Sequence, residues 1–132
     1  MIIKLVRHGE SELNCGMVRH EDQPNHQVRL TEKGIQQAEA AGRTLGADFL
    51  LKSILYRSPY LRTRQTMDSI LAGAFKEKAW LPNLNPKIYE DPRLREQDFG
   101  YQDPEVQKQH RKKQGYFWYR YNGGESPADC SD

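Results

Sequence analysis

The chain opens on a short apolar run, Ile2-Ile3-Lys4-Leu5-Val6, that stops abruptly at Arg7-His8-Gly9-Glu10-Ser11. The run is too short for a core helix and rich in β-branched residues, so it predicts a buried parallel strand. A chain that begins with such a strand must cover both of its faces, which favours layered α/β folds over bundles or open sheets. The five polar residues then fall at the strand's carboxyl end, the edge at which open α/β sheets hold their ligands. Their chemistry suits an anion. Arginine presents a charged planar fork of donors to an oxyanion. Imidazole serves as base, acid or nucleophile near neutral pH, and Gly9 lets the backbone approach a bound group closely.

The remaining signals alternate helix and strand. Thr31 predicts an N-cap for a helix running to about Leu45, with Gly46 as its stop; Ile35, Ala38, Ala41, Gly42 and Leu45 share one face. Phe49 to Tyr56 predicts a second strand. Ser58-Pro59 predicts the cap and first position of a helix reaching about Phe75. A loop over 81–86 leads to a third strand, Lys87 to Glu90, which Asp91-Pro92 breaks. Gln102 to Gln114 predicts a polar helix with the basic stretch His110-Arg111-Lys112-Lys113, followed by the aromatic run Tyr116-Phe117-Trp118-Tyr119 and a turn at Asn122-Gly123-Gly124. This order argues for parallel α/β architecture, and 132 residues hold one domain, 1-132.

Composition narrows the partners. A hydrophobic content of 36% is lean and a net charge of +2 is small. Neither nucleic acid nor a membrane is indicated, while a modest positive balance suits a small anionic substrate. Cys15 and Cys130 lie far apart with no metal-type spacing, which predicts a reduced, cytoplasmic protein. The N-terminal run, with Lys4 inside it, is too short for a signal peptide, and no stretch approaches a membrane span.

Three further segments have the composition of an anion site. Ser58 to Thr66 opens a helix directly after a strand and carries Arg62 and Arg64. Two positions separate these by about 200° around a helix, so only one can serve the site, and spacing leaves open which. Arg93-Leu94-Arg95-Glu96-Gln97-Asp98-Phe99-Gly100 sets a carboxylate between arginines and an aromatic. A carboxylic acid beside a phosphate can protonate a leaving alkoxide; an exposed ion-pairing loop is the plainer alternative. Gly123-Gly124-Glu125-Ser126-Pro127 reads as a turn and helix start, with Ser126 and Pro127 repeating the cap pattern.

Taken together, Leu5-Val6-Arg7-His8-Gly9-Glu10-Ser11 with Asn14, Leu30-Thr31-Glu32-Lys33-Gly34 with Gln37-Ala38, Ser58-Pro59 with Arg62, Gln65 and Thr66, Leu94-Glu96-Phe99-Gly100, and Gly124-Glu125-Ser126 resemble the histidine phosphatase (phosphoglycerate mutase-like) superfamily in the family's own order. The resemblance covers nearly the whole chain. It implies a three-layer α/β/α fold with a mostly parallel central sheet, incomplete at the C-terminus. It also implies roles. His8 takes the phosphoryl group, Glu96 is the general acid and base, and Arg7, Arg62 (rather than Arg64), Asn14 and Ser11 hold the phosphate. Such chemistry needs positioning and charge neutralisation above all. Arginines supply the charge, so no metal or other cofactor is called for.

The sequence departs from the pattern in two places. The family's second catalytic histidine follows the Gly-Glu-Ser block on a later strand beside the first, and the chain reaches Asp132 before it; His20, His26 and His110 cannot replace it. The expectation is therefore the N-terminal portion of a longer enzyme. Around the acid, Glu96 is followed by Gln97-Asp98-Phe99-Gly100 rather than the mutases' Arg-His-Tyr-Gly, which favours a phosphatase of small phosphorylated metabolites or phosphoproteins. The alternatives are a cofactor-dependent phosphoglycerate mutase and a catalytically impaired phospholigand-binding domain. A metal hydrolase built on His8, His20, Asp22 and His26 matches no standard ligand spacing.

Overall fold

A computed structural model describes residues 1–76, 86–98, 100, 104–121 and 123–131. Within them the helices α1 (Glu32–Leu45), α2 (Ala47–Leu51), α3 (Leu61–Phe75), α4 (Pro104–Gln114) and α5 (Pro127–Ser131) accompany two strands, β1 (Ile54–Arg57) and β2 (Lys87–Glu90). Single turns of 3₁₀ helix occupy Asn25–Gln27 and Pro92–Leu94.

Helix α1 starts where its sequence says. The Thr31 hydroxyl accepts the N–H of Gly34 at 3.1 Å, and Gly46, at φ 79°, ends the helix by donating its N–H to Gly42 O. Its buried face carries Gly34, Ala38 and Gly42. Helix α3 runs against it in the opposite sense: a Cβ added to Gly42 would stand 2.0 Å from Ile70 O, and one added to Gly73 would stand 2.1 Å from Glu39 O. Two glycines thus let two backbones touch. The core follows from that contact: Ala38, Leu50 and Ile70 are buried, with Leu45, Phe49, Leu55, Leu71 and Phe75 packed around them.

The strands pair in parallel with Leu55 opposite Ile88 and Tyr56 opposite Tyr89. This gives the α/β class expected from the alternation. Leu55 points into the helical core. Ile54, Tyr56 and Tyr89, on the other face, are exposed, and the two tyrosine rings stack at 5.5 Å. Among the described residues the helical layer lies on one face of this sheet.

Several local expectations need correction. Residues 2–6 form no strand: neither β1 nor β2 pairs with them, and Ile2, Ile3, Leu5 and Val6 stand exposed, because β-branching favours extended backbone but only a neighbouring strand can hold it in a sheet. The second strand begins at Ile54 rather than Phe49, since Phe49 and Leu50 reach the core from the short helix α2. Helix α3 begins at Leu61, with Tyr60 and not Ser58 in the capping position. The hydroxyl of Thr63 donates to the carbonyls of Ser58 and Tyr60, which holds Ser58-Pro59 as a turn ahead of the helix. The polar helix α4 is described from Pro104 on. Gln102 and Asp103 of that expected helix, Phe99, Asn122 of the expected turn and most of the loop expected over 81–86 lie outside the described residues. The predicted cap does hold at α5, where Ser126 N and Oγ donate to Asp129 Oδ2 and Asp129 N donates back to Ser126 Oγ.

Candidate active site

His8 sits on a loop that is tied down at the three residues after it, Gly9, Glu10 and Ser11. The N–H of Gly9 donates to Thr66 Oγ1 on α3 at 3.2 Å, and that hydroxyl donates to Arg62 O. Glu10 donates its N–H to Gln37 Oε1 and accepts the N–H of Thr31 at 2.9 Å. Its carboxylate takes Thr31 Oγ1 and Lys33 Nζ, which hold it below the usual carboxylate range. The loop lies so close to α1 that a Cβ on Gly9 would stand 2.3 Å from Gly34 O, and one on Gly34 2.1 Å from Glu10 O. Thr31, Lys33 and Gln37 from one block and Thr66 from the other therefore clamp the loop that carries His8.

The imidazole is half-buried, and its Nδ1 lies 2.7 Å from Gly9 O. A carbonyl oxygen only accepts, so Nδ1 carries a proton, and in the neutral ring Nε2 keeps its lone pair. Burial lowers the pKa of His8 below 6.5; the Gly9 hydrogen bond opposes this, and the positive charges of Arg62 and Arg7 add to it. A neutral imidazole with a free Nε2 is the form that can attack.

His8 lines a cavity of about 320 Å³ together with Arg7, Ser58, Tyr60, Arg62, Thr63, Leu94, Arg95 and Glu96. Four of the six residues expected at the site thus meet in one place. Arg62, 3% exposed, is fixed by both Asn25 O and Asn25 Oδ1 on its Nη1, by Glu96 Oε2 on its Nη2 at 2.8 Å, and by the Tyr60 ring beneath it. Arg64 turns away to Glu90, which settles what the two-residue spacing left open. Arg7 is exposed at the cavity mouth. Ser11 and Asn14 lie outside the cavity lining and bond to one another: Ser11 N and Oγ both donate to Asn14 Oδ1. A larger cavity of about 600 Å³, between His110, Tyr119, Arg120 and Tyr121, contains none of these groups. Asp22 is held by Arg19, and among the described residues no cluster of three or more His, Cys, Asp or Glu could hold a metal ion.

Three lining or supporting residues were not singled out by sequence. Asn25 lies in a loop of mixed polar residues whose contact with Arg62 spans 37 positions. Tyr60, whose phenol burial pushes upward in pKa, donates from Oη to Glu96 O at 3.1 Å. Arg95 was visible only as one of two arginines near Glu96.

The model of the histidine phosphatase superfamily (branch 1) matches residues 3–132. The chain belongs to this superfamily. As a histidine phosphatase superfamily member it is 38% identical over 143 residues to the phosphoglycerate mutase-like protein AT74 of Arabidopsis thaliana, covering 98% of this chain and 43% of that one. It is 26% identical over 219 residues to the broad-range acid phosphatase DET1 of Saccharomyces cerevisiae, covering 99% and 66%. Several bacterial 2,3-bisphosphoglycerate-dependent phosphoglycerate mutases match at 30–36% identity. In fold it resembles the crystal structure of a putative alpha-ribazole-5'-P phosphatase of Escherichia coli, with a TM-score of 0.67 at 19% identity over 96% of this chain and 59% of that one. The chain spans about half the length of the Arabidopsis relatives it matches, 43% and 49%.

Proposed function

We propose that this chain belongs to a phosphomonoester hydrolase that works through a phosphohistidine on His8, with Glu96 as general acid and base. The observation that carries the reading is the bond from His8 Nδ1 to Gly9 O, which leaves Nε2 unprotonated in a cavity shared with Arg7, Arg62 and Glu96. In the first step the Nε2 lone pair forms the N–P bond while the bond from phosphorus to the leaving oxygen breaks. That oxygen takes the proton of Glu96. In the second step Glu96 removes a proton from water, the water oxygen attacks phosphorus, and the N–P bond returns its electrons to His8. Arg62 and Arg7 neutralise the phosphoryl oxygens through both steps. An incoming phosphate competes with Glu96 for Arg62 Nη2; the displaced carboxylate takes up a proton from solvent or from the substrate's monoanion and then serves as the acid of the first step. Asn14 and Ser11, bonded to one another outside the cavity lining, brace the loop beyond His8 rather than meet the phosphate in this arrangement.

No metal or other cofactor enters these steps, and the substrates that fit are small phosphorylated metabolites or a phosphorylated protein side chain. The match to mutases supports a second reading, in which the phosphoryl group returns to a second hydroxyl rather than to water. Need for a bisphosphorylated primer separates the two. A third, binding without turnover, is recognised by stabilisation with phosphate in the absence of hydrolysis. The direct test is phosphate release from a panel of phosphomonoesters. His8→Ala should lower kcat by about a thousandfold or more, and Glu96→Gln by about 10²–10⁴ on alkyl esters. Unchanged turnover in His8→Ala rules the reading out.

A further inference from the structure

Glu125 belongs to the block Gly124-Glu125-Ser126, to which the chemistry above gives no part. Its bonds nevertheless converge on the general acid's neighbours. The carboxylate takes Nη1 of Arg95 at 2.6 Å on Oε2 and Nη2 of Arg95 on Oε1, a bidentate pair partly shielded from solvent. The same Oε2 accepts the N–H of Asp98 at 3.1 Å. The main chains join as well: Glu125 N donates to Asp98 O, and Gln97 Nε2 donates to Glu125 O, both at 2.8 Å. All of these bonds run to residues 95, 97 and 98, and the residue they bracket is Glu96.

Glu96 needs such help. It lies on backbone outside any helix or strand, and its side chain is 52% exposed, so packing does not hold it. Tyr60 Oη grips its carbonyl oxygen from the α3 side, and Arg62 takes its carboxylate. The opposite side of the segment has Glu125. Glu125 is itself fixed in the chain, next to the reciprocal Ser126–Asp129 cap that starts α5.

We propose that Glu125 is a positioning residue: through Arg95, Gln97 and Asp98 it clasps the backbone that presents Glu96 to the cavity holding His8 and Arg62, and so serves proton transfer to the leaving oxygen. The proposal rests on the phosphohistidine reading for its chemistry but not for its structure. A clasp on the acid acts on the protonated leaving group and spares one that departs unaided. Turnover of phenyl phosphate, which needs the proton, is therefore compared with that of 2,4-dinitrophenyl phosphate, which does not.

Glu125→Gln and Glu125→Ala should lower kcat/KM, which reports transfer to His8 and not the water step that both esters share, by about 10²-fold on phenyl phosphate and by no more than about threefold on the dinitrophenyl ester. Glu96→Gln should show the same split, and Glu125→Asp should recover part of the loss. Equal losses on both esters, or no loss on either, overturn the assignment. Amide hydrogen exchange supplies an arm independent of turnover. In Glu125→Ala the Asp98 amide should lose protection while the amides of α1 and α3 keep theirs; unchanged Asp98 protection overturns the clasp. A wild-type chain that hydrolyses neither ester, yet shows Glu125-dependent protection at Asp98, counts against the hydrolase and supports the clasp.

Discussion

His8 Nδ1 donates to Gly9 O, and this one bond fixes which nitrogen of the neutral ring keeps its lone pair. Burial, with Arg62 and Arg7 nearby, holds the imidazole below the ordinary 6.5. The folded chain therefore binds the His8 proton less readily than the unfolded chain, so this residue's contribution to stability is complete above about pH 6.5 and falls as pH drops below it. The ring resonances of His8 should titrate with a midpoint below 6.5 in the folded chain; a midpoint at or above that value contradicts the burial argument. The sequence made His8, Arg7 and Glu96 legible because charged, nucleophilic and acidic residues at a loop edge carry their chemistry in their identity. Periodicity alone could not choose between Arg62 and Arg64, since it excludes only their joint use; the family resemblance favours Arg62, and it is Arg62, 3% exposed and tied to Asn25 and Glu96, that lines the cavity. Glu125 read as a turn residue because its partner Arg95 lies 30 positions away, beyond any local pattern.

Helix α1 shows why some elements are legible and others are not. Its cap at Thr31 and stop at Gly46 are local devices, and both stand where the residues place them. The segment 2–6 carries a strand's composition, but a strand is stabilised by its neighbours, and neither described strand pairs with it. Helix-to-helix contact is likewise invisible in α1 alone. Gly42 in mid-helix looks like a defect of about 1 kcal/mol relative to alanine, yet a Cβ there meets the Ile70 backbone oxygen at 2.0 Å. A backbone atom cannot rotate aside, so the helices must separate, which costs about 1–3 kcal/mol in strain and lost packing. The clash wins. Gly42→Ala should lower the midpoint of thermal unfolding, whereas a rise would mean that α1 and α3 do not touch there. Thr31→Ala should cost about 1 kcal/mol through the lost cap. It should also loosen the Glu10 loop, since Thr31 Oγ1 reaches Glu10 Oε1 at 3.0 Å.

At the scale of the whole molecule, the chain leaves much apolar surface in water. Met1, Ile2, Ile3, Leu5 and Val6 are exposed, as are Ile54, Tyr56 and Tyr89 on the outer face of the sheet and Tyr116, Phe117 and Trp118 beyond α4. Exposed apolar surface on this scale drives association. The 132-residue chain should bind the dye ANS and sediment as a concentration-dependent mixture; a strict monomer without dye binding would show that these faces are covered in solution. The cavity holding His8, Arg62 and Glu96 is built where β1 hands over to α3, and none of its lining residues belongs to the sheet's exposed outer face. The proposed phosphoryl transfer to His8 has a direct readout. The chain is mixed with a ³²P-labelled phosphomonoester, quenched, and analysed for protein-bound label and its position by mass spectrometry. The predicted result is an acid-labile, base-stable label on His8, absent from His8→Ala. Turnover by the wild-type chain with no such label, or a label that survives in His8→Ala, contradicts the phosphohistidine mechanism.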